Sequence, residues 1–208
     1  MTTSVQTDAA PAWQVATLFP NQGQWGEGDY LDLTHITNRL VEFSNGCIEI
    51  LPTPKTSHQL IVQYLSNLLL RFVTPRQLGV ALFAPLRVRL AQGAFREPDV
   101  VFMAAENAGR MGEDYWDGAD LVMEVVSDEN RNHDFVTKRA EYAAARIPEY
   151  WIIDARDKRV LVLTLRGASY ECHIEAVPGQ LADSLILPGF NVDVTAVFQA
   201  AAASGGTA

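Results

Sequence analysis

The sequence predicts an α/β domain, a central β-sheet flanked by helices, and three observations carry that prediction. Two runs, Asp99 to Met103 and Leu121 to Val126, are almost continuously apolar, as strands buried on both faces should be. Ser57 to Phe72 repeats Leu60, Ile61, Tyr64, Leu65, Leu68 and Phe72 at helical spacing. The chain has 208 residues and no internal repeat, which suits one domain with a sizeable core.

The elements follow in order. Residues 1–24 are small, polar and Pro-containing, and read as a flexible arm ahead of a domain at 25–200. Asp29 to Leu40 reads as a short helix. Leu40 to Leu51 reads as a hairpin turning at Asn45-Gly46. The long helix over Ser57–Phe72 ends at Pro75, and Val80 to Phe83 is a short strand. Leu86 to Leu90 alternates strictly, which puts Arg87 and Arg89 on one strand face. After the two buried strands, Asn130 to Arg146 forms a second helix. Val136, Ala140, Ala143 and Ile147 are its expected packing face, with Asp134, Lys138 and Tyr142 on another. Pro148 ends it. Tyr150 to Ile153 is a strand, Asp154 to Lys158 a turn, and Arg159 to Leu165 the return strand. Tyr170 to Ala176 adds a strand, and Pro188-Gly189-Phe190 with Val194 to Ala202 closes the domain. Residues 201–208 read as a disordered tail.

Composition narrows the function class. Hydrophobic residues make up 48% of the chain and mean hydropathy is +0.01, as expected of a soluble globular protein. Apolar runs fall short of a membrane span, and Met1 to Gln14 lacks a signal-peptide pattern. Cys47 and Cys172 stand alone, which suits a reducing cytoplasm. The net charge of −9 argues against indiscriminate nucleic-acid binding. Its distribution argues otherwise. Pro52 to Arg96 has no acidic residue but carries Lys55, Arg71, Arg76, Arg87, Arg89 and Arg96, so this segment is +6 and the remainder −15. Solvated surface charge and a polyanion-facing segment both fit that asymmetry.

The chemistry centres on two carboxylates. Glu124 lies inside an apolar strand, a costly place unless a cation or donors meet it. Asp99 opens the other apolar run. Mg²⁺, with Mn²⁺ as a substitute, takes oxygen ligands, so Asp99, Glu124 and a backbone carbonyl at Val125 form a plausible set with a substrate phosphate. Such a cation polarises a phosphate and acidifies a bound water. Lys138 follows Glu124 by fourteen residues, enough to fold a helix back over the strand end. It either orients that water or makes an i,i+4 pair with Asp134 on a solvated face.

The span from Glu42 to about Phe198 resembles the Uma-type restriction endonuclease family, which has the PD-(D/E)XK nuclease fold. The matching text is Glu42 with Asn45-Gly46, Pro52 to His58, Glu97-Pro98-Asp99-Val100-Val101, and Leu121 to Ser127. It continues with Asp134, Lys138 and Tyr142, then Ile147 to Asp154, and ends with Leu187 to Phe190. The resemblance implies a restriction-endonuclease-like core with Asp99 and Glu124 on adjacent strands of a mixed sheet. It also implies DNA as substrate and a homodimer, with apolar segments near Leu185 and Val194 as a candidate interface. Two residues after Glu124 stands Val126, so the lysine of the family's motif is missing there, and Lys138 matches a position to which it has migrated. Glu42 matches an extra acidic residue of such nucleases, or is an exposed hairpin residue; Glu49 is a weaker candidate. Arg87, Arg89, Arg96 and Lys55 are the expected phosphate contacts. His58 reads as a helix cap or phosphate neighbour, and His133 is set aside because helix neighbours diverge. The leading reading is a Mg²⁺-dependent endonuclease. The alternatives are an inactive nuclease-fold module that binds nucleic acid or protein, and a hydrolase of small phosphoesters.

Overall fold

The computed structural model describes residues 19–127 and 131–202, so most of the expected arm and tail, and Asn130 of the expected helix, lie outside the described residues. The chain forms α1 (Glu27–Ile36), the hairpin β1 (Val41–Ser44) and β2 (Cys47–Ile50), α2 (Thr56–Val73), β3 (Gly79–Phe83), β4 (Val88–Ala91), β5 (Ala94–Arg96) and β6 (Val100–Ala104). A 3₁₀ turn (Ala105–Arg110) leads to β7 (Trp116–Asp117) and β8 (Leu121–Val126). A π-helical turn (His133–Lys138) runs into α3 (Arg139–Ala144). Then come β9 (Glu149–Asp154), β10 (Arg159–Arg166), β11 (Ser169–Ala176), β12 (Leu181–Asp183), β13 (Asn191–Asp193) and α4 (Val194–Ala202).

The expected single sheet is in fact two main sheets. The central one has six strands in the order β11-β10-β9-β8-β6-β3, and it is mixed: β8 and β9 are parallel, the other pairs antiparallel. A second sheet has five strands in the order β2-β1-β5-β4-β7. Two of its strands escape a periodicity reading, since β5 spans three residues and β7 two. An aromatic cluster of its own anchors it. Tyr30 from α1 packs on Phe43 and Phe95 with ring centroids 5.2 and 5.0 Å away, and its hydroxyl donates to the Val41 carbonyl. The hairpin turns where expected: Asn45 and Gly46 take φ of 51° and 75°, as a type I′ turn requires.

Alternation along β8 sorts its side chains between two cores. Leu121, Met123 and Val125 face α2, where Ile61, Leu65 and Leu69 meet them. Leu65 is fully buried there, and truncation to alanine would cost about 2–5 kcal/mol. Val122, Glu124 and Val126 face the opposite core, built with Tyr142, Ala143 and Ile147. Glu124 is thereby aimed at the helical segment after β8.

That segment corrects part of the sequence reading: Ala143 and Ile147 pack as expected. Val136 and Ala140, expected to pack, face solvent, while Asp134, Lys138 and Tyr142 are buried. The reason is electrostatic: the carboxylates on the sheet need a cation and donors, and the polar face of the segment provides them. Of the apolar positions offered for an interface, Leu185 is exposed but Val194 is buried. Among the described residues no helix is long and apolar enough to cross a membrane.

Candidate active site

The site lies where β8 runs past the end of β6. The last register pair is Val100↔Met123, so Asp99 and Glu124 are the next positions on neighbouring strands. Freed from the ladder, the Val125 amide donates to Asp99 Oδ2 at 2.8 Å. His58, in the first turn of α2, brings Nε2 to within 3.2 Å of the same oxygen. Glu124 Oε1 accepts from Lys138 Nζ at 2.9 Å and from the Tyr142 hydroxyl at 2.6 Å.

Lys138 is the hub. Its ammonium lies 2.9 Å from Glu124, 3.2 Å from Glu42 Oε1 and 3.6 Å from Asp134 Oδ1. The i,i+4 pair with Asp134 therefore coexists with the site contacts, in a buried setting and not on a solvated face. Burial disfavours the lysine's charge, but Glu124, Glu42 and Asp134 outweigh it and raise its pKa well above the ordinary value.

Glu42 is fully buried, which corrects the exposed-hairpin alternative. Val41 and Phe43 turn into the aromatic cluster, so Glu42 between them points the other way, into the site. Burial pushes its pKa up, but Lys138, His133 and Arg96 together hold it down to about 2. On an α-helix His133 would point away from Lys138. The π turn changes that geometry, because i→i+5 bonding stacks His133 and Lys138 on one side. His133 Nε2 sits 3.2 Å from Glu42 Oε2, opposite Lys138.

Three of the four expected phosphate contacts are otherwise engaged. Arg96 is 4% exposed and faces inward, clamped between Glu141, at 2.7 Å through two nitrogens, and Glu42, at 3.3 Å. Arg89 pairs with Asp117 at 2.6 Å and Glu27 at 3.2 Å, and Arg87 donates to Thr34 Oγ1. Arg87 also stands just ahead of β4 and not within it. Lys55 alone of the four lines the cleft above the site, where it is exposed. Arg156, which no sequence pattern marked, lines the same cleft.

The cleft has a volume of about 380 Å³ and two kinds of wall. Leu40, Leu51, Pro52, Pro54 and Ile61 form an apolar side, and Glu97, Asp99, Glu124, Asp134 and Lys138 a charged one. With Glu42 behind them, the carboxylates outnumber the fixed cations Lys138 and Arg96. The surplus shows in their protonation. Burial pushes Glu124 up to about 8 in spite of Lys138. Burial and the neighbouring Glu42 push Glu97 up to about 7, and its buried Oε2 has no partner among the described residues.

A divalent cation fits this donor set. Asp99 commits Oδ2 and Glu124 commits Oε1, and each keeps its second oxygen without a partner among the described residues. In a strand, the amide and carbonyl of one residue leave on the same edge, so the Val125 carbonyl emerges on the side where its amide meets Asp99. A second cluster is less suited. Ligand atoms of Glu42, Glu49 and His133 lie within 4.8 Å of one another, but Glu49 is exposed and both Glu42 oxygens already face cations.

A family model described as "Uma2: Putative restriction endonuclease" matches residues 28–195. Among solved structures, the chain is similar to a crystal structure described as "a putative nuclease belonging to DUF820" from Anabaena variabilis. The TM-score is 0.67 at 16% identity, covering 82% of this chain and 98% of that one. At that identity the likeness speaks for the fold. No curated protein matches the chain.

Proposed function

The chain belongs to the Uma2 family and has a restriction-endonuclease-like fold, and on that footing we propose that it is a Mg²⁺- or Mn²⁺-dependent endonuclease that hydrolyses DNA phosphodiester bonds. The observation that carries the reading is the pair of half-committed carboxylates, Asp99 and Glu124, beside a buried lysine in an open cleft. Their free oxygens and the Val125 carbonyl would hold the cation. When bound, it supplies a Lewis acid for the phosphate and a more acidic water.

The chain's own groups do the rest. An ammonium has three donors, and those of Lys138 are spread over Glu124, Glu42 and Asp134. The contact to Asp134, at 3.6 Å, is the longest and the easiest to exchange for a water or a phosphoryl oxygen. Lys55 and Arg156 at the cleft mouth contact phosphates on either side, positioning the strand without reading its sequence. A homodimer would present two such clefts to the two strands of a duplex. Supercoiled plasmid with Mg²⁺ or Mn²⁺ tests the proposal. Wild type nicks it, and Glu124→Gln lowers the rate by at least ~100-fold, the scale of losing a metal's charge stabilisation. Equal rates would refute the assignment, and no cleavage by either would favour the inactive binding module.

A further inference from the structure

Both cation-facing carboxylates are tied in the same way. Asp99 gives one oxygen to the Val125 amide, with His58 Nε2 as an ion-pair partner 3.2 Å from the same oxygen; Glu124 gives one oxygen to Lys138 and to the Tyr142 hydroxyl. We propose that His58 and Tyr142 are positioning residues for the cation: each locks one oxygen of a carboxylate, so that the other faces the cleft at a fixed angle. The proposal rests on the reading of Asp99 and Glu124 as cation ligands.

Chemistry supports the choice of donor. With a cation bound both carboxylates are ionised and accept only, so the Tyr142 hydroxyl donates and His58 has to present an N–H to Asp99. A phenol hydroxyl fixes the Glu124 oxygen without adding the positive charge that a second lysine would set against the cation. The Tyr142 ring is itself held. Tyr142 is fully buried and meets Tyr150 edge-on at 5.0 Å, while the Tyr150 hydroxyl is tied to the Asp134 carbonyl at 3.0 Å. His58 is anchored in the first turn of an eighteen-residue helix whose apolar face is packed into the core. Donors of this kind orient ligands, and their loss typically weakens metal binding by ~10–100-fold.

Calorimetric titration of the full chain with Mn²⁺ tests this, with thermal unfolding recorded alongside. Tyr142→Phe and His58→Ala should each weaken Mn²⁺ binding by ~10–100-fold while the protein stays folded. His58→Gln, which restores an N–H donor, should recover part of that loss. Should Tyr142→Phe fail to fold, the partly exposed His58 variants decide alone. Asp99→Asn and Glu124→Gln are the controls. If these abolish binding while Tyr142→Phe and His58→Ala bind as wild type, the positioning role is refuted and the cation site stands. If Asp99→Asn and Glu124→Gln bind as wild type, the cation site itself is wrong and the inference falls with it.

Discussion

Replacing Lys138 by methionine keeps the stem and removes the charge at the centre of three carboxylates. Breaking a buried pair from one side typically costs ~3–5 kcal/mol, because the partner charge is left without compensation. Glu42 keeps Arg96 and His133, so the loss falls mainly on Glu124 and Asp134. For a domain of this size each kcal/mol moves Tm by about 2–4 °C, so the expected drop is about 6–20 °C. The drop should depend on pH. Because the lysine's pKa is raised, its charge is full below the unfolded value of 10.5 and persists through pH ~9. Glu124 is a raised acid, protonated below about 8 and charged above it. Thermal unfolding by circular dichroism should therefore show a small penalty near pH ~6, where Glu124 is protonated in both proteins, and a larger one near pH ~9, where wild type ionises Glu124 against Lys138 and the variant, lacking that lysine, holds its proton more tightly. A drop below about 4 °C at the higher pH, or one that does not shrink at the lower, would refute the reasoning.

Other outcomes follow from the same contacts. Arg96→Ala should destabilise by ~3–5 kcal/mol in urea unfolding and leave the salt dependence of DNA affinity unchanged, because the guanidinium is buried against Glu42 and Glu141. Arg89→Ala, which breaks partly exposed pairs, should cost under ~1 kcal/mol in the same assay. Glu42, held down to about 2, contributes stability that is present above its unfolded value of 4.5 and lost as pH falls toward 2; acid titration of Glu42→Gln against wild type should show that difference vanish over this range. Cleavage at limiting Mg²⁺ should rise with pH through about 8 as Glu124 gives up its proton, and a rate that falls there would contradict Glu124 as a cation ligand.

The strand that bears Glu124 and the one that Asp99 immediately precedes were legible because a carboxylate in or beside an apolar run is conspicuous, and the hairpin because Asn45-Gly46 encodes its turn. The structure brings Asp99, Glu124, Lys138 and Glu42 around one cleft. Four features escaped, each for a physical reason. The second sheet is closed by β5 and β7, strands too short to show alternation. The π turn breaks the 3.6-residue period on which the packing face of 130–146 rests, so Val136 and Ala140 turn outward while Ala143 and Ile147 still pack, and Asp134, Lys138 and His133 enter the site. Arg96 resembled its basic neighbours, and nothing in a single sequence shows that Glu141, forty-five residues later, turns it inward. Tyr142 stood in the matched text without a role, and only its 2.6 Å contact with Glu124 gives it one.

The most direct test of the account is a crystal soaked in Mn²⁺ and measured for anomalous scattering. The account predicts a peak shared by Asp99, Glu124 and the Val125 carbonyl, within reach of Lys138. A peak at Glu42, Glu49 and His133 instead, or none at millimolar Mn²⁺, would contradict it.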